Sequence, residues 1–423
     1  VELESTPQDE SLNIPALHQA LVDSLKENQC IQTGLVEAAF RAVPRHLFLP
    51  EHDVKEVYED KAIVTKHDEV ETPISSSSQP AIMAIMLEQL DLQPGHRVLE
   101  IGAGTGYNAA LIAQIVGENG SVATVDIDED IVAKARENLR KTGFERVVVV
   151  CGDGAEGYPD DAPYDRIILT VGAWDVFPAW LDQLKVGGRV VLPLTIRWSQ
   201  RSVAFERTEN GLQSVSVKNC GFMRMRGAFA EPQNLHSLWT GVRLWSDWAV
   251  DVDAISQALL DSYHEIPTGL NMDSTPWGLI FWLELYEPGF GQFWVKDAPA
   301  DAPQLPYLWG VQNNFHAMCI SNGERLVFLM RSPGRTPPKP EDAGKDKPPF
   351  ELHIRCYGQD NTLVDTLLDH IRAWDEAGRP RWINDLHITA YPVNAELHVP
   401  EDAIVLPRRW MQYVLELRAE PTI

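Results

Sequence analysis

Cysteine is scarce. The five residues, Cys30, Cys151, Cys220, Cys319 and Cys356, are odd in number, widely scattered and without CxxC spacing. Neither a disulfide framework nor a zinc site is expected. Positive charge is also short, with 36 Lys and Arg against 61 Asp and Glu and a formal net charge of −25. Such a surface repels polyanions over a Debye length of about 8 Å at physiological salt. No lysine-rich tract is present to track a phosphate backbone, so nucleic acid is excluded as the expected partner. Long apolar runs are missing as well, none approaching the roughly 20 residues of a membrane helix. The opening VELESTPQDESLN lacks the basic and apolar regions of a secretory signal. A cytoplasmic location away from membranes is expected. His46, His236, His264, His316 and His370 lack metal-ligand spacing, and no metal is expected.

What is present is an ordinary globular composition, 44% hydrophobic and 23% charged over 423 residues, enough for two domains. Residues 12–49 carry apolar side chains at helical spacing and end at the breaker-rich LFLPEHD. From Arg97 the texture becomes strand, glycine turn, helix, strand: RVLEI, GAGTG, YNAALIAQIVG, SVATVDI, EDIVAKARENLRKTG, then RVVVVC, DRIILTV, PAWLDQL and GRVVLPL. Strands alternating with helices predict a parallel sheet covered on both faces. SVAFER and LQSVSVK around TENG predict an antiparallel hairpin that finishes this sheet. Ten of the thirteen tryptophans lie between Trp239 and Trp410. The run SPGRTPPKPEDAGKDKPP (332–349) reads as a Pro- and Lys-rich exposed loop. The expected division is a helical cap over 1–72, a Rossmann-like core over 73–230 and an extension over 231–423. The fold class is α/β, a Rossmann-like domain with a second, C-terminal mixed α/β domain.

The segment Glu100-Ile-Gly-Ala-Gly-Thr-Gly106 follows a strand and opens a helix. Glycines there allow a tight turn whose backbone lies against a ligand. Asp126 stands twenty residues after Gly106 at the tip of the next strand, where a carboxylate can accept from ribose hydroxyls. Asp153 and Gly154 follow the third strand and are placed to meet an adenine edge. A dinucleotide site competes, because GxGxxG also needs an acid about 20 positions on. Glu100 distinguishes the two: an acid at the strand end suits the cationic amino-acid part of S-adenosylmethionine and repels a pyrophosphate.

AAFRAVPRHLFLPE (38–51), Tyr58 and Asp60, SSSSQPAIMAIMLEQLDLQPGHRVLEIGAGTGYNAALIA (75–113), VDID (125–128), GDG (152–154), APYDRIILTVGA (162–173) and QLKVGGRVVLPL (183–194) together resemble protein-L-isoaspartate O-methyltransferases over residues 15–230. The resemblance implies S-adenosylmethionine as cofactor. It implies a pocket lined by Ser75, Ser76, Ser77, Met83, Glu100, Gly102, Gly104, Thr105, Gly106, Asp126, Ile127, Asp153 and Gly154. It places Ser78, of Ser78-Gln79-Pro80, over the methyl acceptor, with Gln79, Thr170 and Val171 beside it. Two departures stand out. SSSSQP replaces the family's TISQP, and a flexible polar loop is the plainer reading of Ser75 to Ser77. CGFMRMRGAF (220–229) replaces an apolar strand and brings Arg224 and Arg226 toward the acceptor, unless they are ordinary exposed charges.

Length is the larger departure, because isoaspartate repair enzymes of this family generally end near the first domain. Extended forms of this methyltransferase type accompany ribosomally made, modified peptides: lanthipeptides, lasso peptides and graspetides. The leading expectation is therefore methylation of an aspartate in a constrained precursor peptide, the ester collapsing to a succinimide or isoaspartate. General isoaspartyl repair is the alternative. A non-catalytic S-adenosylmethionine-binding scaffold that recognises peptides is a third. The tryptophans of the extension are core residues or a peptide-binding surface, and the sequence does not separate the two.

Overall fold

The structure is a computed structural model that describes residues 13–68, 73–228, 230, 234–342, 349–358, 361–380, 386–397, 399–401 and 403–417. The first twelve residues of the expected cap, positions 69–72 and 229, residues 343–348 of the expected loop, and Trp382 lie outside the described residues. Two compact units are formed, and they differ from the expected cut. One is Val1–Ile196, Gln200–Glu231 and Asn384–Ile423; the other is Arg197–Ser199 and Pro232–Ile383.

The first unit opens with α1 (Ile14–Glu27), α2 (Gly34–Ala42), the one-turn α3 (Val54–Val57) and a hairpin, β1 (Ile63–His67) with β2 (Pro73–Ser77). Then come α4 (Pro80–Leu90), β3 (Arg97–Ile101), α5 (Tyr107–Val116), β4 (Ser121–Asp126), α6 (Glu129–Lys141) and β5 (Val148–Cys151). They are followed by β6 (Tyr164–Leu169), α7 (Pro178–Gln183), β7 (Leu184–Ile196), β8 (Ser199–Arg207) and β9 (Leu212–Asn219). Polar caps set the helix starts: Thr33 Oγ1 accepts from Val36 N, and the Asp53 carboxylate accepts from Lys55 N and Glu56 N. Every residue of α5 except Gln114 is buried. It packs with α2, α4 and α6 against the interior strands in one core that contains Phe40, Leu87, Leu111 and Leu139.

Strands β3 to β6 pair in parallel in the order β6-β3-β4-β5. The chain leaves β3 to one side and returns on the other, so a crevice opens at the carboxyl ends of β3 and β6, where such sheets take ligands. Ser75, Ser76 and Ser77 are not a loop. They are strand residues of β2, registered Lys66↔Ser75, Val64↔Ser76 and Ile63↔Ser77.

The second unit contains β10 (Leu235–Trp239), β11 (Val242–Ser246), α8 (Val252–Ala258), β12 (Tyr263–Met272), α9 (Trp277–Tyr286) and β13 (Phe290–Lys296). It continues with β14 (Trp309–Val311), β15 (Asn314–Ser321), β16 (Leu326–Arg331), β17 (Phe350–Tyr357) and α10 (Thr362–Glu376). The strands form an eight-stranded sheet whose described pairs are antiparallel. Alternation sends Phe290, Met318 and Ile320 to a core with α9 and α10, and Phe293, Ala317 and Cys319 to a core with α8.

The chain then returns. Strands β18 (Leu386–Pro392), β19 (Ile404–Pro407) and β20 (Met411–Leu417) belong to the first sheet, in the order β19-β20-β18-β9-β8. The β8–β9 hairpin is therefore not the edge of the sheet, and residues 384–423 are not part of the second unit. The physical reason lies in the edge of β9: its register Thr389↔Gln213 and Ala390↔Leu212 gives its polar backbone a partner. Asp175, fully buried, accepts from Tyr413 Oη at 2.8 Å and from Trp410 N at 2.8 Å, while the Trp410 ring packs tilted at 59° against Phe177 with centroids 4.6 Å apart.

Candidate functional site

A cavity of about 350 Å³ occupies the crevice. Its floor is Ile101, Gly102 and Gly104 after β3, Asp126 and Ile127 at the end of β4, Gly154 after β5, and Thr170 and Val171 after β6. One wall is β2 and its continuation, with Ser75, Ser76, Ser78 and Gln79. The other is the segment 219–226, which includes Arg224 and Arg226.

The turn after β3 demands glycine. Gly102 has φ +102°, and a Cβ there would lie 2.5 Å from Thr170 Oγ1. That hydroxyl donates to Gly102 O at 2.7 Å, closing β3 onto β6. A Cβ on Gly154 would clash with Ile101 Cγ2. Asp126 ties the loop to β4, accepting from Gly104 N at 3.2 Å and from Asp128 N at 3.3 Å. Burial pushes its carboxyl above the ordinary aspartate range, partly offset by those backbone donors.

Several expected residues lie elsewhere. Glu100 is fully buried, accepts from Thr124 Oγ1 at 2.6 Å and Asn108 Nδ2 at 2.8 Å, and does not line the cavity. Burial pushes its carboxyl up to about 7, against the pull of the Thr124 and Asn108 hydrogen bonds. Direct contact with a cationic ligand is therefore not its place; it braces β3 against β4 and α5. Met83 sits in the core and Ser77 packs against the Arg45 guanidinium, neither reaching the cavity. Thr105 and Gly106 are buried behind the turn, where Thr105 O accepts from Asn138 Nδ2 at 3.0 Å. Asp153 also lies off the lining, held by Ala155 N at 3.0 Å and Ala228 N at 2.9 Å.

Ser78 lines the cavity, and among the described residues its hydroxyl has no hydrogen-bond partner. Its position depends on Arg45, which the sequence reading did not single out. Arg45 is fully buried, and its guanidinium donates to Val57 O at 2.8 Å, Lys61 O at 3.2 Å and Ser78 O at 3.0 Å. Gln79, on the cavity wall, is held by Asp60, whose carboxylate accepts from Gln79 Nε2 at 2.9 Å and caps α4 at Ala81 N at 2.8 Å. Trp180, also missed, donates from Nε1 to Gly154 O at 2.8 Å and fixes the loop after β5.

The segment 219–228 crosses the cavity as a strap and not as a regular strand. Gly172 N donates to Met223 O and Met225 N to Gly172 O, each at 2.8 Å, and Phe222 N donates to Gln200 Oε1 at 2.6 Å. Arg226 is engaged with Asp128, Nη2 to Oδ2 at 2.6 Å, and Asp128 also meets Lys66 at 3.2 Å. Arg224 is exposed on the strap, bridged to Gly172, and lines the cavity. The floor meets the demands of an adenosyl sulfonium: close backbone approach at Gly102, Gly104 and Gly154, a buried carboxylate at a strand tip, and apolar walls from Ile101, Val125 and Ile131.

Comparison with known proteins gives the same direction. The family described as protein-L-isoaspartate(D-aspartate) O-methyltransferase matches residues 16–226. A protein-L-isoaspartate O-methyltransferase of Methanopyrus kandleri is 41% identical over 220 residues, 51% of this chain and 95% of the relative. That of Hyperthermus butylicus is 37% identical over 218 residues, 49% of this chain and 88% of the relative. A solved protein-L-isoaspartate O-methyltransferase covers 88% of this chain and 96% of its own at 24% identity, with a TM-score of 0.48. With a relative this similar matched over nearly its whole length, the chain belongs to the protein-L-isoaspartate O-methyltransferase family of S-adenosylmethionine-dependent carboxyl methyltransferases.

Proposed function

We propose that this chain methylates an aspartate side-chain carboxylate in a conformationally constrained ribosomal peptide. The observation that carries the reading is the second unit, Pro232–Ile383. The match to the Methanopyrus kandleri relative already takes up 95% of that protein, which leaves it no room for a comparable unit. A general repair enzyme recognises a local linkage, although the Thermotoga maritima relative, matched over 53% of its own length, also extends well beyond the shared part. An enzyme dedicated to one peptide needs contacts remote from the reacting carboxylate.

Gly102, Gly104, Asp126, Ile127 and Gly154 would hold S-adenosylmethionine, with Ser75 and Ser76 on the β2 wall. The bound cofactor supplies an electrophilic methyl group on a sulfonium. A carboxylate with an ordinary pKa near 4 is already ionised, so no general base is required of the chain. The new O–CH3 bond forms as the S–CH3 bond breaks, leaving a neutral thioether. Ser78 donates to the acceptor carboxylate and aims one oxygen; Arg224 offsets its charge. Holding both reactants in near-attack geometry supplies about 7–11 kcal/mol of the barrier. In the peptide ester, attack by the following backbone nitrogen expels methanol and closes the succinimide.

Isoaspartyl repair is the second reading, favoured by the names of the relatives. The test presents the full-length protein with S-adenosylmethionine and either short isoaspartyl peptides of varied sequence or a macrocyclic aspartyl peptide. The first reading expects one-methyl mass gain followed by methanol loss on the macrocycle and slow turnover of the short peptides. Fast, sequence-tolerant methylation of the short peptides establishes repair instead.

A further inference from the structure

Along β13 the side chains at 290, 292, 294 and 296 share one face, and burial falls away in that order. Phe290 and Gln292 are buried, Trp294 is half-buried and Lys296 is exposed. The helices α9 and α10 cover the first part of this face and leave the last part open. Across the strands, Trp294 is registered with Arg243 on β11 and with His316 on β15, and His316 with Trp309 on β14. These four residues form a row across the sheet. The Arg243 guanidinium lies 5.5 Å from the centre of the Trp294 indole. The Trp294 ring is 6.4 Å from the His316 ring at 10°, and His316 is 5.0 Å from Trp309 at 15°. Trp277, 54% exposed, completes the row 4.8 Å from Trp309.

The row is fixed in place. Trp294 Nε1 donates to Asn314 Oδ1 at 2.9 Å, and His316 Nδ1 meets Gln292 Nε2 at 2.5 Å. Burial lowers the His316 pKa to about 4, so the imidazole is a neutral member of the stack. Gln292 is 4% exposed, and among the described residues its Oε1 has no hydrogen-bond partner. Among the described residues neither Arg243 nor Lys296 forms an ion pair with a carboxylate. In a chain of net charge −25, these are two cations without a carboxylate partner among the described residues beside a pinned aromatic row.

We infer that this row is a peptide-binding site that takes an extended segment carrying aromatic and acidic side chains. Aromatic side chains of the segment stack on Trp309 and Trp277, and its carboxylates meet Arg243 and Lys296. The inference rests on the peptide-substrate reading and places recognition on the second unit.

The test measures fluorescence anisotropy of a labelled peptide of alternating Phe and Asp, and of the same peptide with Lys for Asp, on the full-length protein. The acidic peptide is expected to bind at least tenfold more tightly. The exposed double variant Arg243→Ala, Lys296→Ala should erase that preference while leaving the melting temperature and cofactor affinity unchanged. Trp309→Ala should weaken both peptides. Equal binding of the two peptides, or a preference that survives in the double variant, overturns the site. So does Trp309-dependent binding of a neutral oligosaccharide with no binding of the acidic peptide. Specific binding here by a protein that transfers no methyl group would support the row and count against the carboxyl-methylation reading, so the two failures are distinguishable.

Discussion

Among single residues, Glu100 and Ser78 mark the two extremes of what the sequence conveyed. An acid closing the first strand was legible, but its direction was not. The side chain enters the interior and meets Thr124 and Asn108, a choice set by the pleat of β3 against its neighbours. Its raised pKa has a stability consequence with a definite sign. A carboxyl whose folded pKa exceeds its unfolded value contributes stability that is fully present below about 4.5 and lost as pH rises through about 7. Glu100→Gln, which cannot ionise, should therefore gain on the wild type by up to about 3 kcal/mol between pH 4.5 and pH 8. Urea unfolding at the two pH values measures it, and a pH-independent difference would refute the assignment. Ser78 is different, because its hydroxyl is exposed to the cavity and bonded to nothing described. Ser78→Ala should lower turnover by about 1.5–3 kcal/mol, the scale of one hydrogen bond to a charged group, with cofactor affinity retained. Wild-type turnover would show that another group orients the acceptor.

At the level of elements, the glycine turn after β3 forms part of the cavity floor. The turn has no room for a side chain, since Gly102 combines φ +102° with a 2.5 Å approach to Thr170 Oγ1. Gly102→Ala should displace Thr170, open the β3–β6 junction and weaken S-adenosylmethionine binding at least tenfold by calorimetry. Gly34→Ala provides the contrast. It begins α2 with ordinary φ and nothing within 4 Å of a Cβ, so it should leave binding intact and raise stability by about 0.4–1 kcal/mol. Equal effects from the two would mean that steric fit at the turn is unimportant. The glycines and Asp126 were readable because strand, turn and helix adjoin in sequence. The contributions of Arg45 and Trp180 were not, because each acts through backbone carbonyls supplied by other elements.

In the whole molecule, the second unit is inserted into a sheet that closes only after it. Ile388 N donates to Ser214 Oγ across a separation of 174 residues, and the buried Asp175 takes its partners from β20 and the turn before it. Truncation after 231 should therefore strip three strands, expose the β9 edge and leave Asp175 without Tyr413 and Trp410. Such a protein should aggregate or melt well below the intact chain. Replacing 232–383 with a short flexible linker should instead preserve a cooperative transition and S-adenosylmethionine binding, while losing the aromatic row. Calorimetric melting of both forms checks this, and a truncated form as stable as the linked deletion would contradict the role of the returning strands. The sequence by itself determined the Rossmann-like order of strands and helices, the glycine turn, Asp126 and the family, because each resides in a contiguous run whose local periodicity and chemistry are self-contained. Only the tertiary structure decided which way Glu100 points, that the serine run is a strand, that the last strands rejoin the first sheet, and that Arg243, Trp294, His316 and Trp309 stand in a row. Those outcomes depend on strand register between distant segments, and register is set by packing and backbone pairing that no local pattern specifies.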